Sequence, residues 1–466
     1  MKKRQFLIVL MLITNFLVSA NNWYVTGSGN DSNDGKSISK AFLTLQRAAG
    51  LVQPGDIVYV GNGIYTDEDK SDGSAVLKIN ISGEANAWIT WKAIKGEKPV
   101  INPKGWAGIQ VTASYNIIEG ISVIGNNDSI FLLQAQEDAK QATPNPYFNT
   151  NGICFEGRKM PADQKPHHLI IRNCEVGKCA GGGIVGLEID YLTIEDCKVY
   201  NNAWFMRYGG SGITTLNNWA FDDFPGYHII IQRNYVWNNK TMVPWERIQK
   251  LSDGNGILLD VTDKNKQGLT NPNADAVVNP KDNQNLLLAT TTLEAPPNPV
   301  LQSTNENRPE WKGRALIANN LSAYNGGSGI HVFRTSHVDI VNNTTYWNGT
   351  IVGYQELFPN SSHDIVIMNN IIVPRPGGQV TSNNKNTNIH WDYNLYSVEQ
   401  NVFKGIHDIV ADPTFIETHT NVTKGNFKQS KASLGIGSAS NDVPQSTDID
   451  GKKRKDTGRD RGAFEQ

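Results

Sequence analysis

The run Asp253-Gly254-Asn255-Gly256-Ile257-Leu258-Leu259-Asp260 sets one carboxyl in a glycine-rich turn and a second at the far end of a short apolar stretch. Two carboxyls facing one cleft can divide acid–base work, the protonated one donating while the ionised one accepts or attacks. Lys250 and Arg247, just upstream, are candidate bases when deprotonated and, as cations, can pair with an anion. His331 and Arg334, in Gly-Ile-His-Val-Phe-Arg, can assist. Asp222 and Asp223 are adjacent oxygen donors of the kind that hold Ca²⁺. The catalytic candidates are therefore Asp253, Asp260, Lys250 and His331, with Asp222 and Asp223 as a candidate metal pair.

These residues are far apart in sequence, so something must bring them together. Two strand patterns alternate along the chain. The first opens with Gly-Ile, at Gly152-Ile153, Gly183-Ile184, Gly212-Ile213, Gly256-Ile257 and Gly329-Ile330. The second is an apolar run ending in polar residues: Leu169–Cys174, Leu192–Cys197, Ile229–Asn234, Ala315–Asn320, Val338–Asn343 and Ile365–Asn370. Where no loop intervenes the period is 23 residues, from 174 to 197 and from 320 to 343. A period in the twenties built from short strands is the mark of a solenoid. One coil cannot bury its apolar side, but a stack of coils about 4.8 Å apart can. The expected fold is all-β, a parallel β-helix of about a dozen coils, with residues 40–50 forming a helical cap at the N-terminal end and the tail, from about 440 to 466, finishing the other. Asn320, Asn343 and Asn370 fall at matching turns, where stacked amides can bond along the axis.

Loop lengths point to one face. The bare connection from second to first pattern is 10 residues, and it swells to 16 before Ile213 and 23 before Ile257. The bare return of 13 residues swells to 21 and then 63, giving an insertion at about 263–312. Insertions on both sides of one strand column build a groove over Ile213, Ile257 and Ile330. With those isoleucines inward, the period-2 rule turns Thr214, Leu216, Leu258, Asp260, His331 and Phe333 outward as its floor. The loops carry Arg207, Tyr208, Trp219, Trp245 and Arg247, which with Arg334 are the candidate substrate-binding groups: aromatic faces stack on sugar rings and arginine forks onto carboxylates. Glu156 shares the column of Asp260 but lies three coils away, about 14 Å, too far for a partner.

Lys2, Lys3 and Arg4, the apolar run Phe6–Val18 and the small residues Val18-Ser19-Ala20 read as an export signal over 1–20, leaving 21–466 as a single domain that is secreted, periplasmic or on the cell surface. No later stretch reads as a membrane span. A formal charge of −2 and a pI near 6.5 lack the basic footprint of a nucleic-acid binder. The spacing of Cys154, Cys174, Cys179 and Cys197 fits no paired zinc site, and an exported chain permits disulfides. Buried thiols stacked on neighbouring coils fit the repeat better.

The opening Trp23–Gly35, the segment Ala41–Tyr65, Ala411–Phe415, and the closing Asp448–Gly451 with Gly462–Glu465 resemble secreted bacterial right-handed parallel β-helix proteins, among them polysaccharide lyases of the pectate-lyase-like superfamily. The resemblance covers essentially the whole chain after the signal. It implies a right-handed coil, a polysaccharide substrate, and first a lyase cleaving a uronic-acid polymer by β-elimination. Lyases of the calcium-and-lysine type carry Gly-Phe-Lys where this chain has Gly256-Ile257-Leu258, so a base would have to come from a loop or a neighbouring coil. A glycoside hydrolase using paired carboxylates, Asp260 with Asp253, Glu246 or Asp223, is the alternative, and a non-catalytic glycan-binding β-helix the second.

Overall fold

The computed structural model describes residues 20–264, 308–443 and 445–466. The export signal, except Ala20, and most of the 263–312 insertion lie outside the described residues. Three long parallel sheets, of eleven, eight and eleven strands, run the length of a right-handed parallel β-helix. The second pattern supplies one eleven-stranded face. The first supplies the eight-stranded face, whose strands are β1 (Ala75–Ile79), β2 (Ala107–Val111), β3 (Asn151–Glu156), β4 (Ile184–Leu187), β5 (Ile213–Leu216), β6 (Ile257–Asp260), β7 (Ile330–Phe333) and β8 (Leu357–Asn360).

The third face consists mostly of short strands, such as Glu175–Gly177 and Leu321–Ala323, that follow the second pattern after a two-residue corner. The first residue of that corner takes a left-handed conformation, as at Asn173, Asn319, Asn342 and Asn369, which asparagine tolerates better than most residues. The second points inward, as Cys174 and Cys197 in the earlier coils and from Asn234 onward as an asparagine that forms a ladder. Asn234 donates to Asn320, Asn320 to Asn343, Asn343 to Asn370 and Asn370 to Asn394, at 3.0–3.1 Å. A parallel ladder links Asn202, Asn239, Asn325 and Asn348 and ends on the buried carboxylate of Glu356. Between the ladders, inward side chains such as Ile171, Ile194, Ile231, Ile317 and Ile340 stack in a fully buried core.

The N-terminal cap is the short helix α1 (Leu45–Ala49), whose Leu45, Ala48 and Ala49 are buried and whose N-terminus is held by the Thr44 hydroxyl. The tail does not simply finish the far end. It runs back along the outside of the third face: Asp450 accepts from Tyr235, Arg454 reaches Asn319, and Ala463 bonds Thr344. This covers the outward apolar residues Trp237, Leu321, Tyr346 and Ile371.

All four cysteines are buried and free, and Cys174 and Cys197 stack as neighbours on successive coils. Titration of the unfolded protein with a thiol reagent, without reductant, is expected to find four thiols; two or fewer would show a disulfide.

Candidate active site

The groove face has the expected register. Ile213 pairs with Ile257 and Ile257 with Ile330, so the 210s, 250s and 330s are adjacent rungs. Ile213, Ile257, Leu259, Ile330 and Val332 are wholly buried inside. Two outward columns result. One runs Cys154, Val185, Thr214, Leu258, His331, Phe358; the other runs Glu156, Leu187, Leu216, Asp260, Phe333, Asn360. Over them lies a cavity of about 780 Å³.

Asp260 ends β6. The next residue, Val261, turns into the left-handed region (φ 57°), costly for a β-branched side chain. Two bonds hold that corner: Val261 N–H donates to the Phe333 carbonyl (2.8 Å), and its own carbonyl accepts from buried Arg308 (2.8 Å). Burial, and next the charge of Asp253, push the Asp260 carboxyl up to about 7 against the pull of Arg334 and Arg308. Its Oδ1 is buried and has no hydrogen-bond partner among the described residues.

Asp253 lies in the turn before β6, also left-handed (φ 63°). Burial raises it to about 6, opposed by the hydroxyl of Ser252, which donates to it at 2.8 Å. A Cβ on Gly209, itself at φ 71°, would stand 2.5 Å from the Asp253 carboxylate, so only glycine lets that loop approach. Both carboxyls line the cavity, and each is only partly accessible.

His331 also faces the cavity. Its ring stacks on Phe358 (centroids 4.1 Å), both nitrogens are buried without a hydrogen-bond partner among the described residues, and burial lowers it to about 3. Burial therefore favours the neutral imidazole over the cation.

Tyr208, Trp245, Arg247 and Arg334 line the same cavity. Lys250, Arg207, Trp219, Asp222 and Asp223 do not. The Lys250 carbonyl accepts from Trp245 N–H (2.9 Å), closing the turn that presents Trp245. Arg207 is a buried staple: it pairs with Glu246 (2.7 Å) and donates to the carbonyls of Asp138, the last residue of the short helix α2 (Leu132–Asp138), and of Gln141 just beyond it. Trp219 is buried beneath the ammonium of Lys165 (4.4 Å). Asp222 accepts from Tyr191 (2.8 Å) and Asp223 pairs with Lys312 (2.9 Å), on the outer side of the second-pattern face. Among the described residues no group of three or more His, Cys, Asp or Glu is gathered to hold a metal ion. These two aspartates do not fit the Ca²⁺ expected of them.

Tyr354, Asn360 and Phe358 belong to the site but escaped sequence reasoning. Strand β8, Leu-Phe-Pro-Asn, lacks the Gly-Ile opening; only its 27-residue offset from β7 marked it. Tyr354 comes from a short loop whose sequence carries no such signal, and its hydroxyl reaches the backbone of Asp253. At the opposite end of the cavity Glu156 is forked by Arg158 (2.9 and 2.6 Å), and Lys159 pairs with Asp72 (2.7 Å).

No model of a known family matches this chain, and no curated protein matches it. Among solved structures it is similar to pectate lyase Pel9A, at 16% identity over 96% of this chain and 97% of that one, with a TM-score of 0.51. It is also similar to a rhamnogalacturonan lyase (15%, 89% and 96%, 0.46) and to XylC, solved with xylose (12%, 95% and 98%, 0.45). At 16% identity the likeness to Pel9A supports the β-helix fold and nothing finer.

Proposed function

We propose that this protein is an exported enzyme that cleaves glycosidic bonds in a polysaccharide, by hydrolysis between Asp260 and Asp253. The observation that carries this reading is the pair of carboxyls on one cavity, raised to about 7 and about 6. Asp260, raised the further, is the one to keep a proton and donate to the leaving oxygen, while Asp253 is the one to ionise first and activate water or attack. Neutral His331 offers hydrogen bonds to sugar hydroxyls, and Trp245 and Tyr208 offer ring faces. The secretory reading of residues 1–20 agrees with a polymeric substrate outside the cytoplasm.

β-Elimination on a uronide is the second reading. It is favoured by Arg247 and Arg334, which line the cavity and can fork a carboxylate. Lys250, its first base, lies off the cavity, which weighs against it.

The test is product chemistry on a panel of neutral and acidic polysaccharides. New reducing ends without ultraviolet absorbance of an unsaturated sugar are expected. Growth of that absorbance would establish elimination instead, and neither product would leave a binding protein. For hydrolysis kcat/KM should follow a bell, rising with ionisation near about pH 6 and falling with loss of the acid near about pH 7. A flat profile from pH 5 to 8 would remove this pair from the mechanism.

A further inference from the structure

Each strand of the groove face from β4 to β8 ends in a corner whose first residue is left-handed: Glu188, Asn217, Val261, Arg334 and Ser361. Of these five only Val261 is β-branched, the type least suited to that conformation, and it directly follows Asp260. Arg308 is wholly buried against this corner. Its Nη2 donates to the carbonyls of Val261 (2.8 Å) and Thr262 (2.7 Å), and its Nε to that of Asn218 (2.9 Å), just past the end of β5. One planar fork therefore ties the exits of two neighbouring rungs, those that carry Leu216 and Asp260. A lysine ammonium, a point charge on a flexible stem, has no such fixed geometry. Burial lowers Arg308 to about 10, opposed by the charges of Glu188, Asp263 and Asp260, so near neutral pH it remains a cation.

A catalytic acid must be aimed closely at the atom it protonates, and it must give up its proton near the working pH. We infer that Arg308 is a positioning residue for Asp260: its fork fixes the corner that aims the carboxyl into the cavity, and its buried charge bears on that carboxyl. The inference rests on the reading of Asp260 as the acid and adds the group that governs it. Besides burial, Asp253 raises Asp260, while Arg334 and Arg308 lower it; His331, on the next rung, is favoured neutral. Removing the charge of Arg308 should therefore raise Asp260 further.

Melting tests the charge without any substrate. Asp260→Asn would be made in the parent protein, in Arg308→Gln and in Arg308→Lys, and the melting temperature gained from the amide followed from about pH 4 to about pH 10. That gain grows with pH until Asp260 is ionised in the folded protein, then levels off. In the parent it should level just above about pH 7. In Arg308→Gln, which keeps a donor but not the charge, levelling should come about one pH unit higher and at a larger gain. In Arg308→Lys, which keeps the charge, it should stay within about half a unit of the parent's. Arg308→Lys loses the fork, so its kcat on a cleaved polysaccharide should fall about tenfold or more with KM nearly unchanged. A merely structural staple would lower melting in both variants without moving the levelling point. That result, or an equal shift in both, overturns the inference, as does an unchanged kcat in Arg308→Lys. Where Arg308→Gln does not fold, Arg308→Lys decides alone: a shifted levelling point or an unchanged kcat refutes the assignment, and a lower kcat at the parent's levelling point upholds it. If no polysaccharide is cleaved, the glycosidase reading falls, while the melting comparison still decides whether Arg308 acts on Asp260.

Discussion

Asp260→Asn is expected to lower kcat about 10²–10⁴-fold, the range by which a positioned acid or base accelerates proton transfer. The amide keeps the shape but has no proton to give, so the alkaline limb of the pH profile should vanish with the activity. The same substitution should make the protein more stable at high pH. In the unfolded chain Asp260 ionises near 3.8, whereas in the folded protein burial holds its proton until about pH 7. A raised carboxyl binds more protons folded than unfolded, so its handicap to the fold is absent at low pH. It grows as pH rises through that interval and is complete above it. The amide carries no such handicap. Melting at pH 8 should therefore move up by a few degrees relative to the parent protein, and the gain should shrink toward pH 4. Loss of activity together with a lower melting point at pH 8 would mean that Asp260 holds the corner after β6 rather than doing chemistry. A fall in kcat of less than tenfold would move the acid elsewhere.

Asn343→Ala is expected to cost about 3–5 kcal/mol, the largest loss of stability from a single polar side chain considered for this chain. Its amide oxygen accepts from the backbone N–H and the side chain of Asn320, and its amide nitrogen donates to the carbonyls of Ile317 and Val341 and to Asn370. All of these groups are buried. Each one left without a partner costs about 1–3 kcal/mol, and relaxation recovers part of the sum. Urea unfolding followed by circular dichroism would check it, with Lys431→Ala on the exposed tail as a control that should stay within about 0.5 kcal/mol. A change at Asn343 no larger than the control's would show that the ladder decorates the corner without holding it.

Much of the coil architecture could be read from spacing. Asn320, Asn343 and Asn370 recur because each of these corners has a left-handed residue followed by an inward amide that bonds to the next coil, a place that Cys174 and Cys197 take earlier in the stack. Gly-Ile pairs recur because the inward isoleucine stacks on the one below, while the glycines lie close against the neighbouring coil: a Cβ on Gly183 would stand 2.5 Å from the Gly212 carbonyl. Strands of two faces merged into one pattern because the corner between them is only two residues long. The first-pattern strands at Ala75–Ile79, Ala107–Val111 and Leu357–Asn360 went unassigned, the first and last because they carry no Gly-Ile signal.

The candidate site divides the same way. Asp260, His331, Leu258 and Thr214 were legible as groove floor because their direction follows from strand alternation alone. Arg207, Trp219, Lys250, Asp222 and Asp223 stand in loops, where no period dictates direction; the structure turns the side chains of Arg207, Trp219, Asp222 and Asp223 to stapling, packing and surface pairing, and leaves Lys250 off the cavity. By composition these loops looked alike; Trp245 and Arg247 reached the cavity and Lys250, a few residues on, did not.

Repetition alone determined that the 210s, 250s and 330s lie side by side, because burying one apolar side over many coils admits one register. Only the tertiary structure decided which loop side chains close over that floor, and that Asp253 and Asp260 share a low-dielectric cavity. Side-chain direction in a loop, and the field at a carboxyl, depend on neighbours that local sequence does not specify.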